Sequence, residues 1–340
     1  MHAILAAGGQ AWPPFVLVAG LLLIGSVAAA EGLFEAAGAS LARARLGPRS
    51  LLVALLGLVA LVTAVLNLDT AVVFLTPVLV HAARRRSLDE RAFLYGSVFM
   101  ANAASLLLPG SNLTNLLLLR TDPQSGEAFA LRMLPAWLAA CAITAGFIVV
   151  AFRLGEQKTV DATEPPPFRF GLGAAATLAA AILVVALPNP ALPVLGVGAA
   201  AAALRRMRPR LDLRTLTLLF ACTLALGTLA RLWHDPARLL EGDTAFATAG
   251  LGAVAAVLLN NLPATILLSA SPVDHPDALL LGLDLGPNLA VTGSLSAVLW
   301  LQAARSVDAR ASIATYTRHG LLLVPLSLAG ALAVLLTARL

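Results

Sequence analysis

Two long apolar segments of this chain are interrupted near their middles by residues that hydrocarbon tolerates poorly. These are Asn67-Leu68-Asp69-Thr70 in the first third and Asn260-Asn261-Leu262-Pro263 in the last. Each is followed by a second apolar segment broken around Gly-Ser, at Pro109-Gly110-Ser111-Asn112-Leu113-Thr114-Asn115 and at Thr292-Gly293-Ser294-Leu295-Ser296. Polar side chains and helix breaks persist inside a bilayer only where they line a protein-enclosed cavity or satisfy one another. A pair of them recurring in the same order is the pattern of a secondary transporter built from two related halves.

The surrounding sequence fits a membrane chain. Of 340 residues, 59% are hydrophobic and 12% charged, and the charges cluster between long uncharged runs, which excludes a soluble domain. A net charge of +5 would suggest a nucleic-acid partner in a soluble protein. Here 22 of the 23 cations are Arg and most flank apolar spans, so they read as topology determinants and no nucleic-acid partner is expected. No Lys or Arg precedes the apolar run 15–30, and Glu31 and Glu35 follow it, which argues against a cleaved leader. Cys141 and Cys222 lie in separate apolar spans without metal-ligand spacing, so neither a disulfide, a structural metal nor a cofactor is expected.

Apolar length places segments near 12–46, 50–82, 91–119, 130–152, 170–187, 191–204, 215–232, 244–270, 277–302 and 313–337. The second is too long for one span of about 20 residues and carries its polar residues centrally, so it reads as a re-entrant hairpin, as does 244–270. The expected fold is an all-α polytopic membrane protein, an inverted-repeat transporter with hairpins near 50–82 and 244–270 and broken helices near 91–119 and 277–302. Residues 1–154 form the first repeat, 155–169 a cytoplasmic linker and 170–340 the second repeat. Arginine placement supports this arrangement. With the first hairpin entering and leaving on the cytoplasmic side and the second on the opposite side, 18 cations fall inside, among them Arg43, Arg45, Arg49, Arg84, Arg85, Arg86, Arg205 and Arg206; five fall outside, at Arg120, Arg132, Arg231, Arg238 and Arg339. Making either hairpin a full crossing weakens the asymmetry.

The hairpin tips and broken helices would bring together unwound backbone and small polar side chains. The expected solute-binding groups are Asn67, Thr70, Ser111, Asn112, Thr114 and Asn115 from the first half, and Asn260, Asn261, Thr265, Thr292, Gly293, Ser294 and Ser296 from the second. This lining both donates and accepts hydrogen bonds and holds no fixed cation, so it suits a small uncharged polyol-like solute better than a multiply charged anion. Capture of a soft metal by thiolate is excluded by the lack of cysteine at these positions.

Asp69 and Asp284 are candidate coupling groups, because a membrane carboxylate must be neutralised, paired or bound to a cation. Asp284 has a second reading, as the cap of a helix start ahead of Pro287. Asn102 and Ser105 either extend the site or bond a neighbouring helix. Glu31 and Glu35 fit an interfacial position, and Trp12, Trp137, Trp233 and Trp300 fit aromatic anchors at span ends. No HExxH, Asp-rich diphosphate motif or intramembrane Ser/His pairing argues for an enzyme, and His81, His234, His275 and His319 fall in or near predicted loops.

Runs 64–77, 104–115, 260–263 and 283–295 resemble, in order, the first hairpin, first broken helix, second tip and second broken helix of the ArsB-type arsenite/antimonite permeases of the ion transporter superfamily. The resemblance implies scaffold and transport domains in the cytoplasmic membrane, with a scaffold dimer contact. It also implies outward movement of a trivalent metalloid hydroxide, driven by protons or another coupling ion, or by a soluble ATPase. Arsenite is a neutral trihydroxide at pH 7, in agreement with the uncharged lining. The same superfamily includes cation-coupled carboxylate permeases, the alternative reading. Three departures stand out: the chain begins where family members already have earlier helices, Leu68 separates Asn67 from Asp69 where the family has adjacent Asn-Asp, and Asn102 stands where an acidic residue is expected.

Overall fold

The computed structural model describes residues 2–119, 124–155, 170–187, 189–207, 213–230 and 238–338. The expected linker, apart from Gly155, lies outside them, as do Arg120, Arg231, His234, Trp233 and Arg339. All regular structure among the described residues is helical. Four helices are long and apolar enough to cross a bilayer alone: Trp12–Ala30, Pro48–Val65, Gly126–Ala151 and Ile313–Thr337.

The expected segment 12–46 is two helices, α1 (His2–Ala30) and α2 (Leu33–Arg43). The division falls at Gly32, whose φ of 72° is left-handed and open to a residue without Cβ. Glu31, read as interfacial, has a defined task at this turn. Its carboxylate accepts from the amides of Leu172 (3.1 Å) and Gly173 (2.8 Å), the first two residues of α8 (Leu172–Ala186). It also pairs with Arg205, just after α9 (Ala191–Leu204). The orphan amides at the start of α8 thus receive a charged acceptor, and α1, α8 and α9 are tied at one end.

The first polar interruption separates α3 (Pro48–Val65) from α4 (Leu68–Arg85). The two run antiparallel: Arg86, immediately after α4, donates to the carbonyls of Ala42 (2.7 Å), Ala44 (3.2 Å) and Leu46, which lie just before α3. Arg86, counted in sequence only as a topology cation, is 2% exposed. A planar guanidinium can serve several diverging carbonyls at once, whereas an ammonium cannot. Arg86→Ala should therefore lower stability by about 3 kcal/mol, the scale of losing charged hydrogen bonds in a buried site. Arg86→Lys should recover only part of it. Thermal unfolding of the purified variants in detergent reads both.

The second interruption separates α11 (Ala245–Leu259) from α12 (Asn261–Leu268). Its open end is also joined, the amide of Gly242 donating to Asp274 Oδ2 at 3.2 Å. Each hairpin precedes a broken helix. The first comprises α5 (Glu90–Ala104), a 3-10 turn at Pro109–Ser111 and α6 (Leu113–Leu118). The second comprises α13 (Pro276–Leu285), 3-10 turns at Gly286–Leu289 and Val291–Gly293, and α14 (Leu295–Ser306). A long unbroken helix closes each series, α7 (Gly126–Ala151) and α15 (Ile313–Thr337). The hairpin, broken helix and long helix therefore occur twice in the same order, with α10 (Leu213–Ala230) leading into the second set.

The two sets interlock. α3 packs on α5 and α11 on α13, within each set. α4 packs on α14, α12 on α6, and α7 on α15, across the sets. Arg84 reinforces one crossing, pairing with Glu90 and donating to the carbonyl of Val307 (2.6 Å) beyond α14.

Two tryptophans are not span-end anchors. Trp300 is fully buried and donates to the Leu94 carbonyl at 2.8 Å, because an aromatic cluster with Tyr95 and Tyr316 encloses it. Trp137, half-buried, donates to the carbonyl of Ala104 at 3.1 Å, a group the break after α5 deprives of a helical donor. Trp12 is exposed, as an anchor would be. His319 falls in the second turn of α15, stacked on Phe152 at 4.4 Å between centroids.

Candidate solute site

The polar interruptions are, first, helix starts. Asn67 Oδ1 accepts from the amide of Thr70 (2.7 Å), Asn112 Oδ1 from Thr114 (3.2 Å), Asn260 Oδ1 from Leu262 (3.3 Å) and Ser294 Oγ from Ala297 (3.4 Å). These four residues begin α4, α6, α12 and α14, the second limb of each hairpin and each broken helix. A buried helix start needs a side-chain acceptor, so Asn and Ser here terminate one limb and open the next. Asn260 does so at φ 76°, ψ 148°, a conformation that costs a non-glycine residue about 1–3 kcal/mol and that surrounding structure must impose.

Around these starts the expected site residues form three groups. The first joins the two broken helices. Asp284, fully buried within α13, accepts from Asn112 Nδ2 at 2.9 Å and from Ser105 Oγ at 3.4 Å. Ser105 Oγ also approaches the Asn102 carbonyl at 2.8 Å, and Asn102 Nδ2 donates to Asn288 Oδ1 at 2.7 Å. The helix-start reading of Asp284 is thereby overturned: its partners are side chains of the other half, because α13 continues past it to Leu285. Asn102 takes the helix-bridging reading, with Asn288, inside the run 283–295, as its partner.

The second group is the α4 start. Asn67 and Thr70 are buried, and Asn67 Nδ2 and Thr70 Oγ1 find no hydrogen-bond partner among the described residues. Asp69 is half-buried in the first turn of α4 and accepts no side-chain hydrogen bond from the described residues. A methyl group on Gly25 of α1 would meet Thr70 Cγ2 at 2.4 Å, so α1 closes over this start.

The third group lines an open cavity of about 240 Å³ at the second tip, between α12, the turn before α14, and α10. Asn260, Thr292 and Ser294 face it together with Cys222 and Thr223. Asn260 Nδ2 donates to the Thr292 carbonyl at 3.2 Å, and Ser296 Oγ bonds Ser294 Oγ at 3.0 Å. The polar runs themselves hold no cysteine, but Cys222 lines this cavity beside them. Cys222 belongs to α10, an apolar span with no motif, and reaches the tip only through tertiary packing.

Ser111 and Asn115 are engaged with the backbone of the first break. Ser111 Oγ bonds the carbonyls of Ser105 and Leu108, and Asn115 Nδ2 donates to the same two carbonyls at 2.7 and 3.0 Å. Both side chains stabilise the break, since residues 105–108 have lost their helical donors. Asn115 Oδ1 and the Thr114 hydroxyl are buried and find no hydrogen-bond partner among the described residues. Asn261 and Thr265 lie one turn apart in α12, Thr265 Oγ1 donating to the Asn261 carbonyl at 2.6 Å. Gly293 packs on Pro287, where an added Cβ would lie 2.6 Å from Cα. No Lys or Arg occurs within 66–70, 105–115, 260–265 or 284–296.

Comparison with known proteins gives a consistent result. The citrate transporter family, CitMHS, matches residues 1–338. An arsenical pump membrane protein of Yersinia enterocolitica is 26% identical over 363 aligned positions, covering 92% of this chain and 83% of its own length. An uncharacterized transporter of Mycobacterium tuberculosis is also 26% identical, covering 94% of this chain and 85% of its own. Among solved structures, the YdaH transporter of Alcanivorax borkumensis superposes with a TM-score of 0.61 at 17% identity, over 98% of this chain and 86% of that one, a likeness of fold.

Proposed function

The chain belongs to the citrate transporter family, and from that premise we propose that this multi-pass membrane transporter exports a trivalent metalloid hydroxide, arsenite or antimonite, across the cytoplasmic membrane. Its two sets of elements act as inverted repeats, residues 1–154 and 170–340, working by alternating access. Protons drive the cycle through Asp69 and Asp284.

The observation that carries this reading is the chemistry of the breaks. They present amides, hydroxyls and two carboxylates, and no cation. A tricarboxylate placed there would meet Asp284 without a compensating positive charge, whereas a neutral trihydroxide needs only donors and acceptors. The relative named as an arsenical pump membrane protein favours the same solute. Asn67 Nδ2, Thr70 Oγ1, Thr114 Oγ1 and Asn115 Oδ1, without a partner among the described residues, supply hydrogen-bonding capacity for a solute.

A second reading, a cation-coupled carboxylate permease, is favoured by the description of the family as citrate transporters. A bound divalent cation would then mask the charge of the anion. Flux into proteoliposomes separates the two. Arsenite movement that follows an imposed pH gradient and ignores sodium is expected. Citrate movement that requires a divalent cation or sodium, with arsenite immobile, would replace the metalloid reading.

A further inference from the structure

An open cavity of about 790 Å³ lies between the start of α1, the end of α8, the start of α9 and the first broken helix. Its mouth and its depth are distinct. Trp12, Asn189 and Leu192 line it and are exposed, whereas Leu17, Pro109 and Val184 line it and are buried. The cavity is therefore a funnel that ends on Pro109, the first residue of the turn between α5 and α6. Just beyond, Leu21 and Val184 close around Gly110, where an added Cβ would lie 3.3 Å from Leu21 Cδ1 and 3.5 Å from Val184 Cγ1. Asn112, which donates to Asp284, follows two residues later, within about 8 Å of Gly110 even at full extension.

The face on which the funnel opens follows from Glu31. That carboxylate ties the end of α1 to the start of α8 and to Arg205 after α9, so the opposite ends of these three helices, which bound the funnel, lie on the other face. Arg205 belongs to the arginine-rich side, which is cytoplasmic. The 19 residues from Trp12 to Ala30 span about 28 Å, close to the thickness of a hydrocarbon core, which puts the mouth at the outer interface. None of the described residues lining the funnel is charged. A neutral polyhydroxide crosses such walls without a compensating charge, which a multiply charged anion would need. α1 packs on α8, α9 and α10, so this funnel and the second-tip cavity lie along one boundary, between that group and the two breaks.

We propose that the funnel is the outer port of the transport path, through which a small neutral polyhydroxide leaves, and that Leu21 and Val184 form the barrier between this port and the first break. An apolar constriction of this kind excludes water and solute until its walls part.

This inference rests on the reading of the chain as an exporter, and its test keeps the port and the solute apart. Asn189→Cys and Leu192→Cys place a thiol at the mouth, and Glu241→Cys places one at an exposed position after α10 that does not line the funnel. In spheroplasts loaded with arsenite, a bulky membrane-impermeant maleimide added outside should slow export by either mouth variant about tenfold or more, relative to the parent chain treated alike. The same adduct on Glu241→Cys, or a methylthio group on the mouth thiols, should leave export unchanged. In proteoliposomes, Val184→Ala, which shortens the barrier, should speed equilibration of arsenite without a gradient about tenfold. Complete labelling of the mouth thiols with export unchanged would overturn the port. So would labelling from the cytoplasmic side alone, or none from either side, the result expected if a membrane lipid fills the funnel. Citrate export in place of arsenite export, blocked by the same adducts, would keep the port and overturn the metalloid reading.

Discussion

Asp284→Asn is expected to fold with near-wild-type thermal stability and to lose gradient-driven flux by about a hundredfold, the lower range for removing a positioned proton carrier. The amide is the right shape for the buried position. Its oxygen can accept from Asn112 Nδ2, as the carboxylate does at 2.9 Å, and its nitrogen can donate to Ser105 Oγ, 3.4 Å away in the present structure. What the amide cannot do is change charge during the cycle. Asp284→Ala, by contrast, leaves the Asn112 amide without an acceptor in a fully buried site, at a cost of about 1–3 kcal/mol, so stability and flux fall together. Asp69→Asn is the companion variant: Asp69 accepts no side-chain hydrogen bond from the described residues, so folding should be untouched. Gradient-dependent flux at the wild-type rate in Asp284→Asn, with loss confined to Asp69→Asn, would move coupling from the junction of the broken helices to the first hairpin tip. Thermal unfolding measured beside flux separates these outcomes from misfolding.

The positions of the breaks were legible in the sequence because their cause is local. Asn67, Asn112, Asn260 and Ser294 each stand where an apolar run stops being regular, and each begins the next helix by capping it. Helix ends followed the apolar pattern closely, except at the start of α1, which begins at His2 and not near 12, and at Gly32, where a left-handed glycine divides a run that hydrophobicity alone reads as continuous. What the sequence hid depends on packing between distant segments. The second reading of Asp284, as a helix start, came from Pro287 following it; its actual partners, Asn112 and Ser105, are 172 and 179 residues away. Arg86 resembled every other cation at a span end, although it reaches the three carbonyls before α3. Cys222 carried no signal, since nothing in α10 marks the turn that faces the second tip. Ser111 and Asn115 illustrate the converse: their polarity was correctly noticed, but in this conformation it serves the carbonyls freed by the break.

Gly320→Ala is expected to cost about 3 kcal/mol or more, the upper range for overpacking, or to prevent folding outright. A Cβ at position 320 would sit 1.9 Å from the Asn288 carbonyl oxygen, 2.9 Å from its carbon and 3.0 Å from Leu289 Cα, all backbone atoms with no rotamer to change. α15 is also held against this turn one helical turn earlier, where Tyr316 donates to the Pro287 carbonyl at 3.0 Å. Relief therefore requires α15 and the Gly286–Leu289 turn to part. Asn288 would move with the turn and lose its bond to Asn102, so the damage would spread to the junction of the broken helices. Gly57→Ala is the matched control: on α3 an added Cβ there meets nothing within 4 Å, and replacing a helical glycine by alanine should raise stability by up to about 1 kcal/mol. Thermal unfolding in detergent should show the two substitutions shifting Tm in opposite directions. A Gly320→Ala protein as stable as wild type would mean that α15 does not lie against the turn, and with it would go the geometry that brings Asn288 to Asn102.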